Sequence, residues 1–128
     1  MTEPRWLDVS IVNDIHSEQL ALFGGPEGVR DMGMLESALA RPVNKFAYGE
    51  VDLAALAADY AFGVARNHPF VDGNKPAAFA SLMVFLGLNG IDFDVAPEAA
   101  TAMILSLAAG EVGEEGLTQW VRDNWPKT

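Results

Sequence analysis

Apolar residues recur along this chain at steps of three and four, interrupted by a few short polar or glycine-containing stretches. Over 8–23, Val9, Ile11, Val12, Ile15, Leu20 and Phe23 keep roughly helical spacing, which predicts a first helix. Gly24–Gly25–Pro26 stops it. A short second helix is predicted over 33–40, halted before Pro42, because proline lacks the backbone donor a helix interior needs. The stretch 43–50, VNKFAYGE, has no clear period and reads as a loop or flap. Over 52–67, Leu53, Leu56, Tyr60 and Val64 form a stripe that His68 continues. The stretch 76–89 is apolar almost all round, the pattern of a buried central helix, and Asn89–Gly90 ends it. IDFDV, 91–95, reads as a short extended piece. Pro97 suits the first turn of a helix through Ala109, and a last helix over 114–123 turns Leu117, Trp120 and Val121 inward. No sustained alternation of period two is present. The expected fold is all-α, a single domain over 1–128 with no linker or repeat.

Composition narrows the class. Half of the 128 residues are hydrophobic, enough for a sizeable core. No apolar run reaches the roughly 18 residues that span a bilayer, so no membrane segment is expected. The first ten residues, MTEPRWLDVS, lack a basic region followed by an apolar one, so no signal peptide is expected. Cysteine is absent, which excludes disulfides and thiolate metal sites and suits the cytoplasm. The net charge of −10 repels phosphate backbones. Direct nucleic-acid binding is therefore not expected, and a basic protein partner is favoured.

Between the two strongest helical stretches lies NHPFVDGNKPAAF, 67–79. His68 sits at the end of one helix, and the next begins near Lys75. A helix N-terminus presents free N–H groups and the positive end of its dipole, an anion site. Gly73 permits a sharp turn or a close approach of backbone to a ligand. Asn74 can cap or hydrogen-bond, and Lys75 is one of only eight Lys and Arg residues. Asp72 offers a carboxylate suited to Mg²⁺, and His68 is a base of suitable strength near neutral pH. These parts together make a phosphate-handling site. The same residue types equally make a capped helix end, an ordinary turn and a solvated lysine. The other histidine, His16, lies mid-helix beside Asp14 and Glu18 and reads as a surface or half-buried structural residue.

The order of residues adds what composition does not. HPFVDGNK, 68–75, resembles the signature of the Fic/Doc superfamily, His-Pro-Phe-x-Asp/Glu-Gly-Asn followed by a small or basic residue and then Arg. Lys75 after Asn74 makes this version similar to the Doc branch, the death-on-curing toxins. GGPEGVRDMGMLESALARP, 24–42, and FLGLNG, 85–90, resemble further stretches of Doc-type toxins, so the likeness covers nearly the whole chain. It implies a compact Fic/Doc-type helical bundle with the motif loop between two central helices. It also implies a protein kinase that moves the γ-phosphate of ATP, with Mg²⁺, onto translation elongation factor Tu and stops protein synthesis. In these terms His68 is the general base, Asp72 the Mg²⁺ ligand and Phe70 a core anchor. Arg66, Gly73, Asn74, Lys75 and position 76 belong to the nucleotide and phosphate site.

Pro76 departs from the pattern, which has Arg there. Proline removes a guanidinium charge and a backbone N–H together, though it fits the first turn of a helix. The resemblance therefore implies an impaired phosphotransferase. Protein AMP transfer of the Fic type is an alternative, against which Lys75 argues, because AMP transferases usually carry Gly there. A catalytically inactive module that only binds antitoxin is another. The self-inhibiting Ser/Thr-x-x-x-Glu-Gly/Asn motif of some Fic proteins is absent. The resemblance implies instead a small antitoxin whose C-terminal segment folds on binding, in a groove that includes 43–50 and lies beside the motif loop.

Overall fold

Three aspartates set the starts of the first three helices in the computed structural model, which describes residues 2–127. Asp8 accepts a hydrogen bond from the Ile11 N–H at 2.9 Å, Asp31 from Met34 at 3.0 Å and Asp52 from Ala54 at 2.9 Å. They open α1 (Val9–Phe23), α2 (Met32–Ala47) and α3 (Leu53–Asn67). The chain continues through α4 (Asn74–Leu88), α5 (Pro97–Ala108) and α6 (Glu114–Asp123). Among the described residues no strand forms, so the fold is all-α as expected; a lone antiparallel bridge joins Val29 to Phe70. The stretch 91–95 is irregular, with Phe93 buried. Among the described residues, no helix is long and apolar enough to cross a membrane.

The second helix corrects the sequence reading. It runs to Ala47 with Pro42 inside it, and only Tyr48 and Gly49 remain as a turn before the irregular Glu50. Leu35, Ala38, Leu39 and Pro42 fall at i, i+3, i+4 and i+7 on one face, and all four are buried. Packing against α3 holds this stripe in register past the missing N–H. Arg41, next to Pro42, and Lys45, about one turn further on, add ion pairs to Asp59 of α3 and Glu114 of α6. Tertiary contacts thus override a local helix breaker.

The core is built on α3, which packs against α2, α4, α5 and α6. Eleven of its fifteen residues are buried, many of them alanines. Small side chains let neighbouring helices approach closely. At Gly63, an added Cβ would come within 3.1 Å of Ala38 on α2. Leu82 and Phe85 of α4 and Phe70 of the motif loop are buried as expected. The all-round apolar character of α4 has a second cause besides burial. Its Ala77, Ala78, Ser81, Leu82, Phe85 and Leu86 face the core, while Phe79, Met83 and Val84 stay partly exposed along a groove.

Candidate functional site

His68 caps α3 with φ 48° and ψ 55°, a left-handed conformation that non-glycine residues seldom adopt. It is the one non-glycine residue with positive φ among the described residues. Such strain persists where the surroundings impose it. Here Arg30 does so, donating from Nε to the His68 carbonyl at 2.8 Å and from Nη2 to the Asn67 carbonyl at 3.0 Å. The backbone N–H groups of Arg30 and Asp31 both donate to the Pro69 carbonyl, and Val71 N–H donates to the Gly28 carbonyl. The connector between α1 and α2 thereby forms a splint along the motif loop. The His68 side chain remains exposed.

Asn74 holds the loop from the other side. It is buried, and its side-chain amide both accepts from Phe70 N–H at 2.9 Å and donates to the Phe70 carbonyl at 3.0 Å. Its side chain is therefore committed to the loop's own backbone. The N-cap of α4 is Gly73 at φ 77°, and no side chain caps the helix. The main-chain N–H groups of Asn74 and Lys75 have no acceptor among the described residues, and Pro76 has no N–H to offer. Lys75 is exposed, and so is Asp72, whose Oδ1 accepts from Gly73 N–H at 2.8 Å. Its other oxygen lies against Gly25, where an added Cβ would come within 2.6 Å of Oδ2. His68, Asp72, Gly73, Asn74 and Lys75 thus share one loop and the helix end that follows it. Arg66 is exposed on the last turn of α3, with its guanidinium over the Phe62 ring, 5.5 Å from the centroid, one turn back from the loop.

Two residues of this assembly escape sequence reasoning. Arg30 carries no local signal of its role, because its acceptors are main-chain carbonyls 37 and 38 positions away. His16 did carry a signal: with Val12, Ile15 and Leu20 it lies on the buried stripe of α1. Its charged neighbours Asp14 and Glu18 point to a surface position, yet the ring is only 4% exposed. Its ring stacks on Phe70, and its Nε2 lies 2.7 Å from the Asp72 carbonyl.

An apolar groove of about 660 Å³ begins at the same helix end. Lys75 and Pro76 line it with Phe23 of α1, Phe79 and Met83 of α4, and Leu105 of α5. Residues 43–50 are not part of it. Asn44, Lys45 and Tyr48–Glu50 line a different cavity of about 610 Å³, together with Arg41 and Asp59. The helical course of α2 through Pro42 places them there. In that second cavity Asp59 is fully buried; its Oδ1 accepts from Arg41 Nε at 2.8 Å while Oδ2 has no partner. Burial, reinforced by the adjacent Glu114, pushes the Asp59 carboxyl up to about 6. For Glu114 burial also acts upward, but hydrogen bonds with Asp59 and Lys45 and the charges of Lys45 and Arg41 outweigh it and hold its carboxyl below the usual range.

The donor set of the motif loop fits a magnesium-bound nucleotide. Mg²⁺ takes one or two protein carboxylates and completes its shell with phosphate oxygens and water, and an uncapped helix N-terminus beside a lysine receives phosphate. The sequence profile of the Fic/DOC family matches residues 6–86. The chain is 32% identical over 109 residues to the protein kinase Doc of Escherichia phage P1, covering 84% of this chain and 86% of that protein. It is 45% identical over 80 residues to the toxin Doc of Mycolicibacterium smegmatis, covering 57% of this chain and 61% of that one.

Proposed function

We propose that this chain, which belongs to the Fic/DOC family, is the toxin of a toxin–antitoxin pair and by descent a kinase of elongation factor Tu, impaired by Pro76. One observation carries the reading. Exposed His68, Asp72 and Lys75 surround a helix N-terminus whose first N–H groups lack partners. The names of the two relatives, a protein kinase and a toxin, support it.

The chemistry follows from these groups. His68 takes the proton of a Ser or Thr hydroxyl on the target as its oxygen attacks the γ-phosphorus of ATP. The bond from that phosphorus to the β,γ-bridging oxygen breaks, and ADP leaves. Mg²⁺ held by Asp72 supplies charge neutralisation on the phosphate oxygens when bound. Lys75 and the N–H groups of Asn74 and Lys75 bind the phosphates. Asn74 thus contributes through its main chain, since its side chain holds Phe70. Position 76 supplies neither N–H nor cation.

The antitoxin segment belongs in the groove of α1, α4 and α5. An amphipathic helix buries its apolar face there, and basic residues on that helix meet a chain of net charge −10. A cytoplasmic location accords with the proposed target and antitoxin.

The test is induction of the chain, of Pro76→Arg, and of Pro76→Arg with His68→Ala, each scored for growth arrest and for label transfer to elongation factor Tu. Transfer from γ-labelled ATP by the arginine variant, lost again without His68, is the expected result. Transfer from α-labelled ATP instead identifies AMP transfer. Antitoxin binding without transfer by either the chain or Pro76→Arg identifies a non-catalytic module.

A further inference from the structure

His16 lies far from the motif in sequence and takes no part in the transfer outlined above. Its placement nevertheless bears on Asp72. The ring lies flat on Phe70, with centroids 3.8 Å apart and an interplanar angle of 7°. Its Nε2 lies 2.7 Å from the main-chain oxygen of Asp72. A carbonyl oxygen only accepts, so the proton of the neutral ring sits on Nε2. Gly73 follows at φ 77°, and an added Cβ there would meet Leu20 at 3.2 Å and just touch the His16 ring at 3.4 Å.

The carbonyl in question belongs to the peptide unit that joins Asp72 to Gly73. The N–H of that same unit donates to Asp72 Oδ1 at 2.8 Å. One rigid plane therefore carries both bonds, the histidine at one edge and the carboxylate at the other. Rotating the plane away from His16 also withdraws the N–H from Oδ1. Asp72 is exposed, and on this side the N–H of Gly73 is the donor that orients its carboxylate.

We infer that His16 is a positioning residue: by donating from Nε2 to the Asp72 carbonyl it fixes the 72–73 peptide plane and so aims the Asp72 carboxylate at magnesium-bound ATP. The inference rests on the kinase reading for the identity of the ligand, and on geometry alone for the control of the peptide plane. Partners one step removed from a metal ligand typically matter by about 10- to 100-fold in metal affinity or activity.

Two substitutions separate this role from packing. His16→Phe keeps an aromatic ring against Phe70 and loses the donor. His16→Gln keeps a donor near the place of Nε2 and loses the stack. Each is measured beside the parent chain for hydrogen exchange at the Gly73 amide and for ATP affinity with Mg²⁺ and with chelator. Control of the peptide plane requires exchange at Gly73 to rise in His16→Phe and to stay near the parent rate in His16→Gln. It also requires the gain in ATP affinity from Mg²⁺ to fall by about 10-fold or more in His16→Phe and to survive in His16→Gln. A packing role gives the reverse order, with His16→Phe like the parent in both measurements, and overturns the inference. Altered exchange at Gly73 with an unchanged effect of Mg²⁺ overturns it as well. If chains with His16 intact, Pro76→Arg included, bind no magnesium-ATP, the kinase reading itself fails and the aim assigned to His16 falls with it.

Discussion

Pro76 occupies the third position of α4, where a backbone N–H has no partner inside the helix. The helix therefore accepts proline there without distortion, and the proposed effect of the residue falls on chemistry. The transferring phosphoryl group spreads negative charge over its oxygens, and its stabilisation is mostly electrostatic. On the proposed kinase reading, Lys75 and the N–H groups of Asn74 and Lys75 still meet the ground-state phosphates. A guanidinium at 76 acts most on the transition state. Pro76→Arg is accordingly expected to raise kcat about 10²- to 10⁴-fold with a smaller change in nucleotide affinity, read from single-turnover transfer of γ-label. Equal rates in the two chains sink this account of position 76. Asn74 illustrates the opposite case, a residue of the motif whose side chain acts on the fold. Asn74→Ala leaves the buried N–H and carbonyl of Phe70 without their partner, at about 1–3 kcal/mol for each orphaned group. Urea unfolding is expected to show that loss, whereas Lys75→Ala, at an exposed position, is expected to leave stability nearly unchanged.

Helices α2, α3 and α6 meet around a polar cluster that no single helix explains. Arg41 and Lys45 come from α2, Asp59 from α3 and Glu114 from α6. Asp59 is pushed up from 3.8 to about 6, so the folded chain keeps a proton that the unfolded chain releases between those values. Stability contributed at this site is therefore present at low pH and declines as pH rises from about 4 to about 6. Asp59→Asn removes the titration, keeps an acceptor for Arg41 and presents an amide donor where Oδ2 has no partner. The melting temperature of Asp59→Asn relative to the parent is expected to climb from pH 4 to pH 6.5 and then level off. A difference that stays flat over that range shows that the cluster holds Asp59 ionised throughout.

Across the whole molecule, charge and shape act on different steps of partner binding. If the proposed antitoxin segment is basic, the net charge of −10 steers it over distances of about a Debye length, and association is expected to slow as salt rises. On the proposed reading, the groove of α1, α4 and α5 determines how long the segment stays. Leu105 lines the groove and is 52% exposed, so a charge there costs the fold little. Leu105→Asp is expected to weaken antitoxin binding at least 10-fold, mainly by faster release, with an unchanged melting temperature; calorimetry and surface plasmon resonance read both. Undiminished binding by that variant moves the antitoxin to another surface.

By itself, the sequence determined the helices whose signals are local. Asp8 and Asp52 cap, Gly24 and Asn89–Gly90 terminate, and period 3.6 marks the faces of α1, α3 and α6, because such information lies within a turn or two of each residue. It also placed His68, Asp72 and Lys75 on one loop, since consecutive residues cannot separate. Tertiary structure decided the rest. Pro42 stays helical because α3 and the ion pairs of Arg41 and Lys45 hold its turn, a contribution from residues up to 73 positions away. His16 is buried because Phe70 and the Asp72 carbonyl reach it from the far side of the chain, 54 and 56 positions along. The side chain of Asn74 serves the loop and not the phosphates because both hydrogen-bonding groups of Phe70 are buried and need a partner. The groove at Pro76 is lined by residues of α1, α4 and α5 together, and the packing that brings three helices around it is not recorded in the pattern along one helix.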